Sequence, residues 1–534
     1  MSNYQSPPWL SKVPAINDEY LKKNYPQDLK LLQVIVYHRH GTRTPVAKMF
    51  DKFTPKSWDF CENANLYHYQ FRERMKKSIG TYHPGETVPL DPPTSSDTLP
   101  QEFFKSERQV RIFPTSSARE KKGGGGGDVS FKSTEQNDPY YKMATNKTCG
   151  WGQLTDIGWT EMRNVGSYLR DLYVNNLHFL PESREELGNS TLYSRTTDYS
   201  RTFESLHQVI SGLYPVKPSA SSENVTPISI FLRPSSQENL FLNVNCKMLF
   251  KLMYEMRDVT ESNFKKEFEE VKNELFSLAS IGKESSEWVN TSSLVSPMHR
   301  VFDTLSSMES HQMKLPDGVS SEFIKKLGNY SAAEWIYGSN YSSLLGKIQL
   351  SPIVHELTNV LANRVAIQNK QDSLVDVLPY TIPPKMLIFS GHDTTVGPLA
   401  FILQKGEFSK EENPLESKLG WPDFGSIVTV ELFEDTRKKG KSLSSSNATK
   451  ETENNKLIST WPKNLNKDLK TENFYVRAMF NGNPIVVDAC KAEGNHMEGV
   501  GPTMCTLNAF FSQMGPYIIS EDEYIRSCIV PKKE

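Results

Sequence analysis

The first strong apolar run, Leu31-Leu32-Gln33-Val34-Ile35-Val36-Tyr37, is short, rich in β-branched residues and broken only by Gln33. Such a run predicts a strand buried on both faces, as in a parallel sheet. From Leu154-Thr155-Asp156-Ile157-Gly158 the period changes. Met162, Val165, Leu169 and Leu172 recur at spacings of three and four, which predicts an amphipathic helix to about Val174. A short strand over Thr191 to Ser194 leads into a second such helix with Phe203, Leu206, Val209, Ile210 and Leu213, and Ile228 to Leu232 reads as a further strand. From about Lys247 to Asn369 the pattern is helical and charged, without a clear strand. Sheet character returns at Met386 to Phe389, Ile427 to Phe433 and Phe474 to Phe480.

Strands alternating with helices at both ends of the chain predict an α/β fold, a mostly parallel sheet flanked by helices, with a helical cap. The expected division is a lead over 1–30, an α/β core from 31–245 and 381–534, and the cap over 246–380. Two stretches, 85–148 and 437–456, read as insertions. The glycine run Gly123 to Gly127 has no strand before it, so it reads as a flexible connector and not as a phosphate cradle.

Charge narrows the partners. The 534 residues carry 61 Lys and Arg against 63 Asp and Glu, a formal net charge of -2. That argues against nucleic acid as a partner, because polyanion binding needs a concentrated cationic face. A small phosphate ester needs only a few converging arginines. No stretch reaches the ~18 to 20 apolar residues of a spanning helix, and Met1 to Lys30 carries Asp18, Glu19 and Asp28 without an apolar core. These features lead us to expect an intracellular, cytoplasmic protein with no transmembrane segment; oligomeric state is left open. The six cysteines, Cys61, Cys149, Cys246, Cys490, Cys505 and Cys528, lack metal-type spacing and read as reduced, mostly buried thiols. Sequons such as those at Asn146, Asn224, Asn290 and Asn447 are near chance frequency in a chain rich in Asn, Ser and Thr.

The candidate chemistry begins directly after the first strand, at Arg39-His40-Gly41-Thr42-Arg43-Thr44-Pro45. Guanidinium forks match phosphate oxygens two at a time. Like charge around His40 favours its neutral, nucleophilic form, and Gly41 lets the backbone approach a ligand closely. A second pair, His392-Asp393, follows Gly391 and another strand. Alone, Asp393 reads equally as a helix cap. Ligands of parallel α/β sheets bind beyond the carboxyl ends of the strands, so both pairs are expected at one edge.

R-H-G-x-R-x-P with a distant H-D resembles the histidine acid phosphatases, a branch of the phosphoglycerate mutase-like superfamily. Ser194 to Thr202 resembles that family's R-S-T-D-x-x-R-T, whose second arginine is Arg201 here, and Gly152-Gln153-Leu154-Thr155 with Gly158 resembles its G-Q-L-T-x-x-G. Trp421-Pro422-Asp423-Phe424, the strand ending Val430-Glu431-Leu432, and Cys490 and Cys505 before Leu507-Asn508 look most like the lysophosphatidic acid phosphatase branch. The resemblance implies a phosphomonoester hydrolase with a phosphohistidine intermediate on His40. Asp393 is then acid and base, Arg39, Arg43, Arg201 and His392 bind phosphate, and neither metal nor cofactor is needed. Three other readings stay open. An inositol-polyphosphate phosphatase needs rim cations, for which Lys48, Lys52 and Lys56 are candidate sources. A mutase is disfavoured by Thr42 where its motif carries Glu. A non-catalytic phosphate-binding module is disfavoured because all six groups are present. His38 reads as a packing residue and Arg195 as a loop-orienting one. His68, His83, His178, His207, His299, His311, His355 and His496 lack metal-ligand spacing.

Overall fold

The computed structural model describes residues 7–47, 54–65, 104–108, 147–188, 190–215, 228–233, 238–278, 296–337, 342–371, 383–404, 415, 419–438 and 469–530. The glycine run, the four sequon asparagines named above, Lys48, Lys52, His68, His83 and nearly all of both insertions lie outside them.

Among the described residues ten strands form one sheet: β1 (Leu29–Arg39), β2 (Phe104–Arg108), β3 (Leu192–Thr196), β4 (Ile228–Leu232), β5 (Met386–Gly391), β6 (Ile427–Asp435), β7 (Phe474–Phe480), β8 (Asn483–Ile485), β9 (His496–Met497) and β10 (Gly501–Thr506). The order is β2-β4-β3-β5-β1-β6-β7-β10-β9, with β8 on β7. The expected parallel arrangement holds from β2 to β1. From β1 through β6, β7, β10 and β9 every pair is antiparallel, so the sheet is mixed. Parallel neighbours require a crossover and antiparallel ones do not, and no helical period separates Ile427 from Phe480 in the sequence. Strand β2 lies inside the stretch 85–148 that reads as loop.

Both faces of the sheet are covered, as the successive apolar residues Val34 to Tyr37 of β1 require. Val34 and Val36 face one core with Met386 and Ile388 of β5. That core is closed by Met162, Val165 and Leu169 of α1 (Asp156–Arg170) and Leu206, Val209 and Leu213 of α2 (Ser200–Leu213). Ile35 and Tyr37 face the other core with Leu387 and Phe389. After α3 (Lys247–Asn263), whose Leu249 and Met253 form a separate cluster with Leu345 and Ile348, they meet a run of helices, α4 (Lys265–Ser277), α5 (Pro297–Ser310), α6 (Ser321–Trp335) and α7 (Ser343–Gln368), followed by α8 (Asp393–Gln404). One continuous apolar cluster joins Ile35 and Phe389 to Phe268 of α4, Leu305 of α5, Leu327 of α6, and Leu357 and Val360 of α7. The helical layer is thus packed onto the sheet through a shared core. Among the described residues no helix is long and apolar enough to cross a membrane.

The cysteines depart from the expectation. None is free: Cys61 pairs with Cys149, Cys246 with Cys528 and Cys490 with Cys505. The partners lie 88, 282 and 15 residues apart in sequence. Only the fold brings such distant residues together, so spacing along the chain held no signal for the pairs.

Candidate active site

Register builds the site. Arg39 pairs with Gly391 across β1 and β5, and Thr196 pairs with Ser390 across β3 and β5. The three parallel strands therefore end level, and the residues that follow them meet: His40 N–H donates to Gly391 O (3.1 Å), and Thr197 N–H to Ser390 O (3.2 Å). Strand β6 runs the other way, with Ile427 opposite His38. It thus delivers the loop before it, Trp421 to Ser426, to the same edge. Gly425 N–H donates to His40 O (3.0 Å).

The structure brings all six predicted residues together. Arg39 pairs with Asp393 (2.9 Å), donates to Pro422 O (2.6 Å), and lies over the Phe424 ring at 4.1 Å. Arg43 pairs with Asp303 of α5 at 2.8 Å. Arg201, in the first turn of α2, lies over the Tyr199 ring at 4.6 Å and reaches His392 Nδ1 at 3.4 Å. The His40 and His392 rings are 5.7 Å apart.

Hydrogen bonds assign the tautomers of the neutral imidazoles. His40 Nδ1 lies 3.0 Å from Gly41 O, an acceptor only, so Nδ1 carries the proton and Nε2 keeps its lone pair. The Thr202 hydroxyl donates to the Thr197 or Tyr199 carbonyl and so accepts from Thr197 Oγ1. Thr197 Oγ1 in turn accepts from His392 Nε2 (3.0 Å), which leaves His392 Nδ1 as an acceptor facing Arg201. Burial, then Arg201, Arg39, Arg43 and His392, hold His40 well below its ordinary pKa. Burial and Arg201 do the same to His392. Burial pushes the Asp393 carboxyl up, but Arg39, Arg43 and the nearby histidines outweigh it, so the net direction is down. Asp393 Oδ1 also accepts from the N–H of its neighbour Thr394 (2.9 Å), which is not the bond to an N–H two or three residues on that a helix cap makes.

Several supporting residues escaped the sequence. Asp303 Oδ2 accepts from Val46 N–H (2.8 Å) while its other oxygen holds Arg43. Ser205 accepts from Gly41 N–H (3.1 Å) and donates to Arg201 O (2.6 Å), tying the His40 loop to α2. Glu161 accepts from Thr42 N–H (2.9 Å); burial pushes its carboxyl up to about 7. His299 packs on Trp421 at 4.9 Å, one turn before Asp303. Each reaches a partner far away in sequence, and no local pattern marks it. Arg195 stays away from phosphate chemistry: it is wholly buried between Glu238 (2.8 Å) and Glu356 (2.5 Å). His38 is buried, with Nδ1 at 3.1 Å from Arg39 O. Lys56 is exposed. Among the described residues no three His, Cys, Asp or Glu side chains group as metal ligands.

Gly41 has a packing reason of its own. A Cβ there would sit 2.6 Å from Gly158 O and 2.8 Å from Met162 Cγ, so the loop backbone lies closely against α1. Gly41→Ala must displace the His40 loop or α1. We expect a loss of about 1–3 kcal/mol in stability and at least about tenfold in kcat, read from thermal unfolding and phosphatase assays.

The sequence profile of the histidine phosphatase superfamily (branch 2) matches residues 30–481. The chain belongs to that superfamily. This histidine phosphatase is 27% identical over 511 residues to a probable acid phosphatase of Schizosaccharomyces pombe, covering 91% of this chain and 92% of the relative. It is 27% identical over 324 residues to human testicular acid phosphatase, covering 58% and 69% of the two chains. Among solved structures it is similar in fold to the Klebsiella sp ASR1 phytase, with a TM-score of 0.50, 13% identity, and 95% and 99% coverage of the two chains. Like its relatives, the histidine phosphatase is an acid phosphatase that hydrolyses phosphomonoesters.

Proposed function

We propose that hydrolysis proceeds through a phosphohistidine on His40. The observation that carries this is the free Nε2 of a neutral imidazole, fixed at the strand ends beside Arg39, Arg43 and Arg201. The guanidiniums hold the phosphoryl oxygens and offset the charge that spreads over them in a loose transition state, a task that needs no metal. His40 Nε2 forms the bond to phosphorus as the ester P–O bond breaks, and Asp393 gives its proton to the departing oxygen. Asp393 then takes a proton from water, the water oxygen bonds to phosphorus, and the P–N bond breaks to release phosphate. Hydrolysis of p-nitrophenyl phosphate by the purified chain between about pH 4 and 8 tests this. Acid-favoured turnover, insensitive to EDTA, is expected; turnover abolished by EDTA would overturn the metal-free reading.

The similarity of Trp421-Pro422-Asp423-Phe424 and its neighbours to the lysophosphatidic acid phosphatase branch supports that ester as a substrate. Three disulfides support assembly in an oxidising compartment, in place of the cytoplasm expected from composition.

A further inference from the structure

We infer that Trp9, which lies outside every catalytic motif, is a positioning residue of the active site: its indole N–H fixes the loop that holds Arg39 and the His40 backbone. This rests on the phosphate site proposed above.

The setting of Arg39 and His40 depends on the loop Trp421 to Ser426 as much as on their own strand. Pro422 O accepts from Arg39, and Phe424 lies under that guanidinium and 5.8 Å from the His40 ring. Ser426 O accepts from Arg39 N–H (2.9 Å). Between them Gly425 adopts a left-handed φ of +69°, which a side chain would strain. Its N–H donates to His40 O (3.0 Å). Its carbonyl accepts from Trp9 Nε1–H (3.0 Å) in a buried contact that spans 416 residues of sequence. One peptide unit on either side of Gly425 thus links the indole to the backbone of the nucleophile.

The segment around Trp9 keeps the indole in place. Leu10 N–H donates to Pro7 O and Lys12 N–H to Trp9 O (both 2.9 Å), which makes one tight turn. Pro7 fills the space beside the loop: a Cβ on Gly425 would stand 3.0 Å from Pro7 Cγ and 3.3 Å from Met162 Sδ. The Trp9 ring meets Tyr168 of α1 edge-on at 6.0 Å and shares a core with Met162 and Ile427. A phenyl ring would serve that packing; the indole nitrogen is the part that reaches the loop. On the sheet side Asn481 accepts from Ile427 N–H (2.9 Å) and donates to Ser426 Oγ (3.3 Å). Those bonds fix the start of β6, whereas the Gly425 carbonyl is held by Trp9. When a phosphoryl group draws Arg39 from Asp393, Pro422 and Phe424 still locate the guanidinium, so the loop sets where its charge stands. A displacement of about 1 Å at such a group costs up to ~100-fold in rate.

The test is Trp9→Phe in the full chain, which keeps a ring and deletes the N–H. With p-nitrophenyl phosphate kcat is expected to fall about five- to twentyfold while KM moves by about twofold or less. Vanadate, which mimics five-coordinate phosphorus, should bind more weakly by about the same factor as kcat falls. Leu21→Ala, in the same N-terminal segment and packed on the same core, is the stability control: its unfolding midpoint should drop and its kcat stay at wild type. Hydrogen exchange of the wild type needs no variant. Coupling between two sites is reciprocal, so vanadate should slow exchange across residues 7–13 by about threefold or more and leave 18–24 unchanged. If Trp9→Phe fails to fold, that measurement alone decides. Wild-type kcat and vanadate affinity in Trp9→Phe, an equal kcat loss in Leu21→Ala, or unchanged exchange across 7–13 would overturn the inference. A wild type that neither turns over p-nitrophenyl phosphate nor binds vanadate would instead sink the catalytic reading beneath it.

Discussion

His40→Ala is expected to lower kcat for every phosphomonoester by about 10⁴-fold or more, with inorganic phosphate still bound within about tenfold of wild type. Among the described residues the proposed nucleophile has no substitute beside it. His392 is the other imidazole that reaches Arg201, and its Nε2 is held by Thr197 while its Nδ1 faces the guanidinium. The cations that bind phosphate keep their anchors without His40: Arg39 on Pro422 and Asp393, Arg43 on Asp303, Arg201 over Tyr199. Rate and affinity should therefore separate. Turnover by p-nitrophenyl phosphate assay, phosphate binding by calorimetry and the unfolding midpoint together check this. A variant that kept near-wild-type turnover would place the nucleophile elsewhere, and one that lost phosphate binding along with turnover would make His40 a structural residue.

What could be read from the sequence was what is local. The run Val34-Ile35-Val36-Tyr37 announced a doubly buried strand, Met386 to Phe389 announced a strand, and the three-and-four spacing of Met162, Val165 and Leu169 announced α1. The six site residues were legible because each stands just past a strand or in a short motif. The hidden part is tertiary. Asp303 reaches Arg43 from a helix whose own period says only that one face is buried, and Ser205 and Glu161 hold the His40 loop through single hydrogen bonds. The disulfides close loops as long as 282 residues. The antiparallel half of the sheet was also hidden, since strand direction is not written in an apolar run. It matters to the site, because only an antiparallel β6 brings Phe424 beneath Arg39.

The second large effect is expected at Asp393, and it should depend on the leaving group. Asp393→Asn is expected to cost about 10²- to 10³-fold in kcat with alkyl phosphates. With p-nitrophenyl phosphate the loss in the first step should be much smaller, because a nitrophenolate departs without a proton. The pH profile follows from the direction of the Asp393 shift. Its carboxyl is held below the ordinary range in the free enzyme, so it is ionised there through the acid optimum. The proton it must donate then enters with the substrate, whose monoanion prevails below its second pKa of about 6. When the phosphoryl oxygens take Arg39 away from Asp393, burial is left to raise the carboxyl, and the proton moves to it. For wild type, kcat/KM with alkyl phosphates should accordingly fall as pH rises through about 6. Lowering the pH eventually protonates His40 and removes the nucleophile, but its depressed pKa keeps that limb well below neutrality. Equal losses for alkyl and nitrophenyl esters in a first-turnover burst would reduce Asp393 to a partner that positions Arg39.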